Sequence, residues 1–299
     1  MKTRIYTLVP AVLISLCLGA QLQVTSVRKI SPNGVQPQMS RDGQHVVLQD
    51  AGVAGLSVID INSGEEHVVV KDNDVAGDVT LSDGGTMVVY RSARYVNGER
   101  YNDIKAVNRT NGEVKTLDRD GRERYAYRFA GGRLYIAKRT SVKSQRLVTD
   151  IRPVAHAYVL ATEEDDLVLY DGAKRRVLNP NGPNIYLWAS ISPDEQHIAY
   201  MAVNDVCHTY VCDMQGKNVV DLGYYIGAPT WYNNEYLIGQ QDEDDGHRMT
   251  GSRLVAVKID GSGFQELPTP DQSMPINPSA SPGRVVFENE GQIYLMELH

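Results

Sequence analysis

Residues 190–201 read SISPDEQHIAYM, and residues 38–49 read QMSRDGQHVVLQ. The two phrases share a pattern of a short apolar approach, a polar turn, and an alternating or continuous apolar run, although more than 150 residues separate them. Aligning on that pattern yields six marked turns: SRDGQHVVLQ (40–49), LSDGGTMVVY (81–90), FAGGRLYIAK (129–138), SPDEQHIAYM (192–201), WYNNEYLIGQ (231–240) and SPGRVVFENE (281–290). Each turn is built from Gly, Asn, Asp or Pro, which supply a positive φ or a preset bend, so each reads as the join between two antiparallel strands.

Counted from Asp42, Asp83, Gly131, Pro193, Asn233 and Pro282, the markers are 41, 48, 62, 40 and 49 residues apart. A period of roughly 40–50 residues with several strands per unit is the sequence signature of propeller blades. A second hairpin follows in five units: LSVIDINSGEEHVVV (56–70), IKAVNRTNGEVKTL (104–117), LVLYDGAKRRVL (167–178), YVCDMQGKNVVDL (210–222) and LVAVKIDGSGFQEL (254–267). These complete four-stranded antiparallel blades. The sixth unit stops at its third strand, GQIYLMELH, while LQVTSVRKI (22–30) precedes the first marker as an orphan strand. The expectation is an all-β, six-bladed β-propeller whose N-terminal strand completes the last blade, because an open ring would leave an unpaired edge. The 62-residue third interval is read as an insertion at about 141–166, with a seventh blade as the alternative.

The markers Ser192-Pro193-Asp194, Ser40-Arg41-Asp42-Gly43, Ser82-Asp83-Gly84 and Ser281-Pro282-Gly283 resemble the Ser-Pro-Asp-Gly turn of the WD40-like PD40 repeats in the TolB-like family of six-bladed propellers. The resemblance covers most of residues 22–299 and implies the fold. TolB itself carries a further N-terminal domain for which residues 21–299 leave no room, so a role in the Tol system is not carried over.

Composition agrees with a strand-rich globular chain. Its 299 residues are 42% hydrophobic and 22% charged, with 17 Tyr and 26 Gly, a balance that suits strands and turns better than helices. The net charge of −7 lacks the basic stripe that phosphate backbones require, so a nucleic-acid partner is not expected. Residues 1–20, MKTRIYTLVPAVLISLCLGA, place Lys2 and Arg4 before an apolar run that ends in Gly19-Ala20, the layout of a secretory signal peptide. The mature chain, 21–299, is therefore expected in the periplasm or outside the cell, with no transmembrane segment after cleavage. Leu16 precedes Cys17 where a lipoprotein signal wants a small residue, so Cys17 is expected to leave with the leader rather than carry a lipid. Of the remaining cysteines, Cys207 and Cys212 flank four residues that could turn a hairpin, and in an oxidising compartment they could pair or stay as two thiols.

Alternation of four strands puts the first and third turns of each blade on one face of the disc and the remaining connections on the other. The long connections 92–103, 141–166 and 241–253 are expected to crowd that second face, where loops on a rigid scaffold carry binding. Candidate contacts are Arg94, Tyr95, Arg100, Tyr101, Arg152, His156 and Tyr158, with Arg146 extending the patch; Arg and Tyr are enriched at binding hot spots, although such residues also occur in ordinary solvated loops. Asp242, Asp244 and Asp245 offer clustered carboxylates to calcium without the ligand alternation of an EF-hand, and a charge run is more often a solvated loop. His45 and His197 occupy equivalent repeat positions, which points to structure rather than metal.

No nucleophile elbow, phosphate loop or His-Glu-x-x-His pair occurs, so no catalytic residue and no cofactor are assigned. The leading expectation is an exported, non-enzymatic binding protein, a monomer or a subunit of a larger complex, that engages an envelope protein or peptide. The alternative is a carbohydrate-binding or polysaccharide-degrading propeller, with Tyr95, Tyr101, Trp188 or Trp231 available for sugar stacking.

Overall fold

The structure is a computed structural model that describes residues 21–299, apart from 51–54, 72–74, 122–125, 139–140, 150–153, 155, 157, 204–206, 224 and 272. The leader and Arg152 thus lie outside the described residues. Every described element is a strand or a turn, and the strands form seven sheets.

After β1 (Val24–Ser31), blade 1 runs β2 (Val35–Met39), β3 (His45–Gln49), β4 (Leu56–Asp60) and β5 (Glu66–Val70). Blade 2 is β6 (Thr80–Leu81), β7 (Met87–Val96), β8 (Glu99–Asn108) and β9 (Val114–Gly121). Blade 3 is β10 (Tyr127–Ala130), β11 (Arg133–Lys138) and β12 (Ser141–Arg146), and blade 4 is β13 (Tyr158–Glu163), β14 (Asp166–Asp171) and β15 (Lys174–Val177). Blade 5 is β16 (Ile185–Ile191), β17 (His197–Val203), β18 (Cys207–Asp213) and β19 (Val220–Asp221); blade 6 is β20 (Gly227–Trp231), β21 (Tyr236–Asp244), β22 (Met249–Lys258) and β23 (Phe264–Leu267). Blade 7 is β24 (Ile276–Ser281), β25 (Arg284–Asn289) and β26 (Gln292–Leu298), with β1 as its fourth strand.

Ring closure by the N-terminal strand is as expected: β1 pairs antiparallel with β26, Val27 opposite Met296. Leu22 locks the join from the next blade, since its N–H donates to Gln265 Oε1 at 3.0 Å and its carbonyl accepts from Gln265 Nε2 at 2.7 Å. Its side chain is buried with Tyr232, Phe287 and Leu298.

The blade count corrects the expected six to seven. The 141–166 stretch is not an insertion: it supplies the third strand of blade 3 and the first of blade 4, and LVLYDGAKRRVL belongs to blade 4. The turn between β13 and β14 is Glu164-Asp165, with Glu164 at φ +56°. A left-handed conformation at a glutamate leaves no Gly, Asn or Pro for a sequence reading to find.

Blades 3 and 4 each have three strands among the described residues, and β13 starts on the face where β12 ends, that of the first turns. Three contacts show it. Leu147 N–H and Val148 N–H donate to the carbonyl of Gly132 in the first turn of blade 3. Arg128 Nη1 donates to the Tyr158 carbonyl at 3.3 Å while its Nη2 meets Glu195 Oε1, in the first turn of blade 5, at 2.7 Å. At the other end of the strand, Thr162 Oγ1 donates to the carbonyl of Tyr186, near the start of β16. With three described strands, blade 4 returns the chain to the usual direction for blade 5.

That reversal explains why the opening phrase is SPDE in blade 5 and S-x-D-G in blade 1. Gly43 and Gly85 sit at φ +68°, and a Cβ on either would lie 2.5 Å from Ser281 Oγ or 2.4 Å from His45 Nδ1 of the preceding blade. Only glycine fits there. Glu195 holds the same turn position at φ +60°, but the preceding blade presents Tyr158 rather than a marker turn, and the side chain reaches Arg128.

Candidate functional site

The face carrying the connections between second and third strands, hereafter the hairpin face, is dominated by two hairpins rather than by loops. The β7–β8 strands have ten residues each against five in β3, so their tip stands ~16 Å farther out at ~3.3 Å per residue. The sequence reading takes 92–103 and 241–253 as long connections between second and third strands. Both are paired strands instead, with Arg94 opposite Tyr101, Tyr95 opposite Arg100, and Asp242 opposite Ser252.

Pairing divides the predicted aromatic and cationic patch in two, because directly opposed residues share one side of a hairpin and their neighbours take the other. On one side, Arg94 lies 4.8 Å over the Tyr101 ring and its Nε donates to both oxygens of buried Asp103 at 3.1 and 3.2 Å. The guanidinium is thereby held in place. On the other side stand Tyr95, 69% exposed, and Arg100, with Val96 at the tip 42% exposed.

His156 and Tyr158 are not part of this patch. Their rings stack at 4.7 Å, His156 Nδ1 lies 3.9 Å from Asp171, and the Tyr158 carbonyl shares the Arg128 guanidinium with Glu195, which places them on the face of the first turns. The expectation that all three long segments crowd one face holds for 92–103 and 241–253 but only for the ends of 141–166, because Arg146 and Tyr158 in its middle lie on the opposite face. Arg146 pairs with Arg133 beside the Gly131-Gly132 turn, also on that opposite face, with its Nη1 donating to the Thr149 carbonyl.

The acidic hairpin uses its carboxylates internally. Asp242 accepts from Gln240 Nε2, Ser252 Oγ and the Tyr225 hydroxyl at 2.8–3.3 Å. Asp244 accepts from the Gly246 N–H, and Asp245 accepts from the N–H groups of His247 and Arg248, which closes the turn. Among the described residues, no group of three or more His, Cys, Asp or Glu is arranged to hold a metal ion.

The four residues between the two cysteines do not turn a hairpin, and of the two open readings the structure has the two thiols. Cys207 and Cys212 lie on one strand, β18, with Cys207 opposite Val203 and Cys212 opposite Ile198, and both are free thiols. Five residues of strand separate their Cα atoms by ~17 Å, whereas a disulfide spans at most ~7 Å. Burial pushes the Cys212 thiol up to about 12.

Of the channel lining, the sequence offers Trp188 as a sugar-stacking candidate and gives no sign of the polar residues around it. Inner strands of five blades enclose a cavity of about 600 Å³ whose lining includes Gln38, Asp78, Thr80, Arg91, Thr162 and Trp188. Buried Arg91 pairs with Asp78 at 2.5 Å, and the Tyr127 hydroxyl donates to the Asp78 carbonyl. Trp188 sits at φ +48° and remains 46% exposed, with Tyr225 edge-on at 6.4 Å. A left-handed conformation at a bulky residue costs on the order of 1–3 kcal/mol. It belongs to a device repeated in five blades: four residues before the residue that opens the first turn, Gln36, Asp78, Ala228 and Asn277 also take φ between +47° and +52°, and the strand register shifts at this point in blades 1, 5, 6 and 7. None of the five is glycine or proline, which is why the sequence gives no sign of it.

At the turn-face end the channel is crossed by side chains. Arg41 Nη2 donates to the Pro193 carbonyl at 2.6 Å, from blade 1 to blade 5 across the ring, and the Arg128–Glu195 pair lies beside it. Asp83 adjoins this group, and its burial raises its carboxyl above the usual carboxylate range. Arg41 and Asp83 both stand where the Ser-Pro-Asp-Gly phrase would have proline, so these departures from the repeat build the plug.

No protein-family model matches the chain, and no curated protein matches it. Solved structures do. One chain of a mitotic checkpoint complex superposes with a TM-score of 0.61 at 11% identity, covering 99% of both chains. The β-propeller domain of Cps50 (Swd1) from Myceliophteria thermophila gives 0.60 at 9% identity, covering 93% of this chain and all of that one. TolB from Acinetobacter baumannii gives 0.56 at 15% identity; 84% of this chain is covered but only 58% of TolB. At such identities the likeness establishes a β-propeller and nothing about activity.

Proposed function

We propose that this chain is an exported, non-enzymatic β-propeller that binds a protein or peptide partner of the cell envelope through its hairpin face. The observation that carries the reading is the β7–β8 hairpin, which projects an exposed Tyr95 on one side and, on the other, an Arg94 already oriented by Asp103. An exposed aromatic of two rotatable bonds and a preset guanidinium lose little entropy on docking, which is what a hot spot requires. Export rests on the leader-like residues 1–20.

A photo-crosslinking residue in place of Tyr95 tests the reading in the exporting cell. A discrete adduct formed there, and absent when the residue replaces Val219, an exposed position outside this hairpin, supports it. Equal labelling from both positions, or none from either, removes its basis.

A further inference from the structure

The cavity has a chemistry that the hairpin face does not use. Its polar lining pairs one acid with one base, since the Asp78 carboxylate is bound to Arg91. Around that neutralised pair stand the Gln38 amide and the hydroxyls of Thr80 and Thr162, and an indole projects from the wall at Trp188. Tyr225 meets that indole edge-on, and its own hydroxyl is tied to Asp242 at the root of the acidic hairpin. The ring is thus steadied on one edge while nearly half of its surface stays open.

We propose that the channel is a binding site for a neutral saccharide, with one pyranose ring stacked on Trp188 and its hydroxyls bonded to Asp78, Gln38 and Thr80. Amides, carboxylates and hydroxyls that converge on a flat apolar ring suit a ligand with an apolar face and a rim of hydroxyl groups, and the cavity volume lies within the range of small-molecule sites. The paired charges disfavour an ionic ligand, because a second carboxylate or ammonium would have to break the Asp78–Arg91 pair. Arg41 and Arg128 cross the turn-face end, so the ligand enters from the hairpin face.

The chain has two tryptophans, and the other one, Trp231, is buried with its Nε1–H on the Ser190 carbonyl, so ligand-dependent fluorescence reports Trp188. The experiment titrates the mature protein with cellohexaose, maltohexaose, xylohexaose and chitohexaose, and with an oligo-uronate as the charged control. Calorimetry follows on W188A, on T80V, and on Y95A as a hairpin-tip control. The expected result is saturable binding of at least one neutral glycan, weakened tenfold or more by W188A, weakened by T80V, unchanged by Y95A, and tighter than the uronate. Absence of binding by all four neutral glycans up to millimolar concentration, W188A binding as tightly as the native protein, or stronger binding of the uronate would each overturn the proposal. Loss of the Tyr95 crosslink with intact sugar binding would instead count against the hairpin face alone.

Discussion

Arg41 of blade 1 holds the carbonyl of Pro193 of blade 5 at 2.6 Å across the channel. Each residue comes from the opening turn of its blade, and each occupies the second position of the repeated phrase. The repeat therefore does two things with one position: proline stiffens the turn in blade 5, and arginine in blade 1 reaches over to close the channel end. R41A is predicted to raise acrylamide quenching of Trp188 by opening that end, with a stability loss under ~1 kcal/mol because the guanidinium is exposed. Stern–Volmer constants in the R41A and R41A/W188F proteins separate Trp188 from Trp231.

Restoring the repeat at Glu195 should harm the protein. E195G relieves a left-handed glutamate, a gain of about 1 kcal/mol, but it strips Arg128 of a largely buried partner at 2.7 Å, a loss of about 3 kcal/mol. A net destabilisation of about 2 kcal/mol is expected in urea unfolding. A stabilised E195G would mean that blade 4 does not run as described.

Asp83 gives the pH prediction. Burial raises its carboxyl above the unfolded value, so the folded protein binds the proton more tightly than the unfolded chain. The resulting penalty is absent below the unfolded value near 3.8 and grows as pH rises through the folded value. D83N should therefore melt higher than the native protein at pH 7, and the two melting temperatures should converge toward pH 3.5.

The thiols should behave as a pair of unlike, unlinked groups. Cys207 is exposed and Cys212 is buried, so a thiol reagent under native conditions should titrate one group quickly and the second only after unfolding. Reductant should leave the melting temperature unchanged.

Much of the architecture could be read from turn chemistry. Asn, Gly or Pro marks every first turn except that of blade 4, and the orphan strand at 22–30 announced the ring closure seen between Val27 and Met296. What failed to show was whatever the backbone does without its usual residues. Glu164 turns left-handed without glycine, so a blade passed for an insertion; Trp188 and Asp78 do the same beside the channel, so Trp188 could be named as a stacking residue while its polar neighbours Gln38, Asp78, Thr80 and Arg91 could not. The hairpin tip was found by composition, but its split into an Arg94–Tyr101 side and a Tyr95–Arg100 side depends on register, which a run of mixed polar residues does not fix.

The most direct test is affinity capture from envelope extracts with residues 21–299, beside a Y95A/R100A variant and an R41A variant altered on the opposite face. The hairpin-face account predicts one partner retained by the native and R41A proteins and lost from Y95A/R100A, with all three equally folded by circular dichroism. Equal capture by Y95A/R100A, or loss in R41A instead, would contradict it.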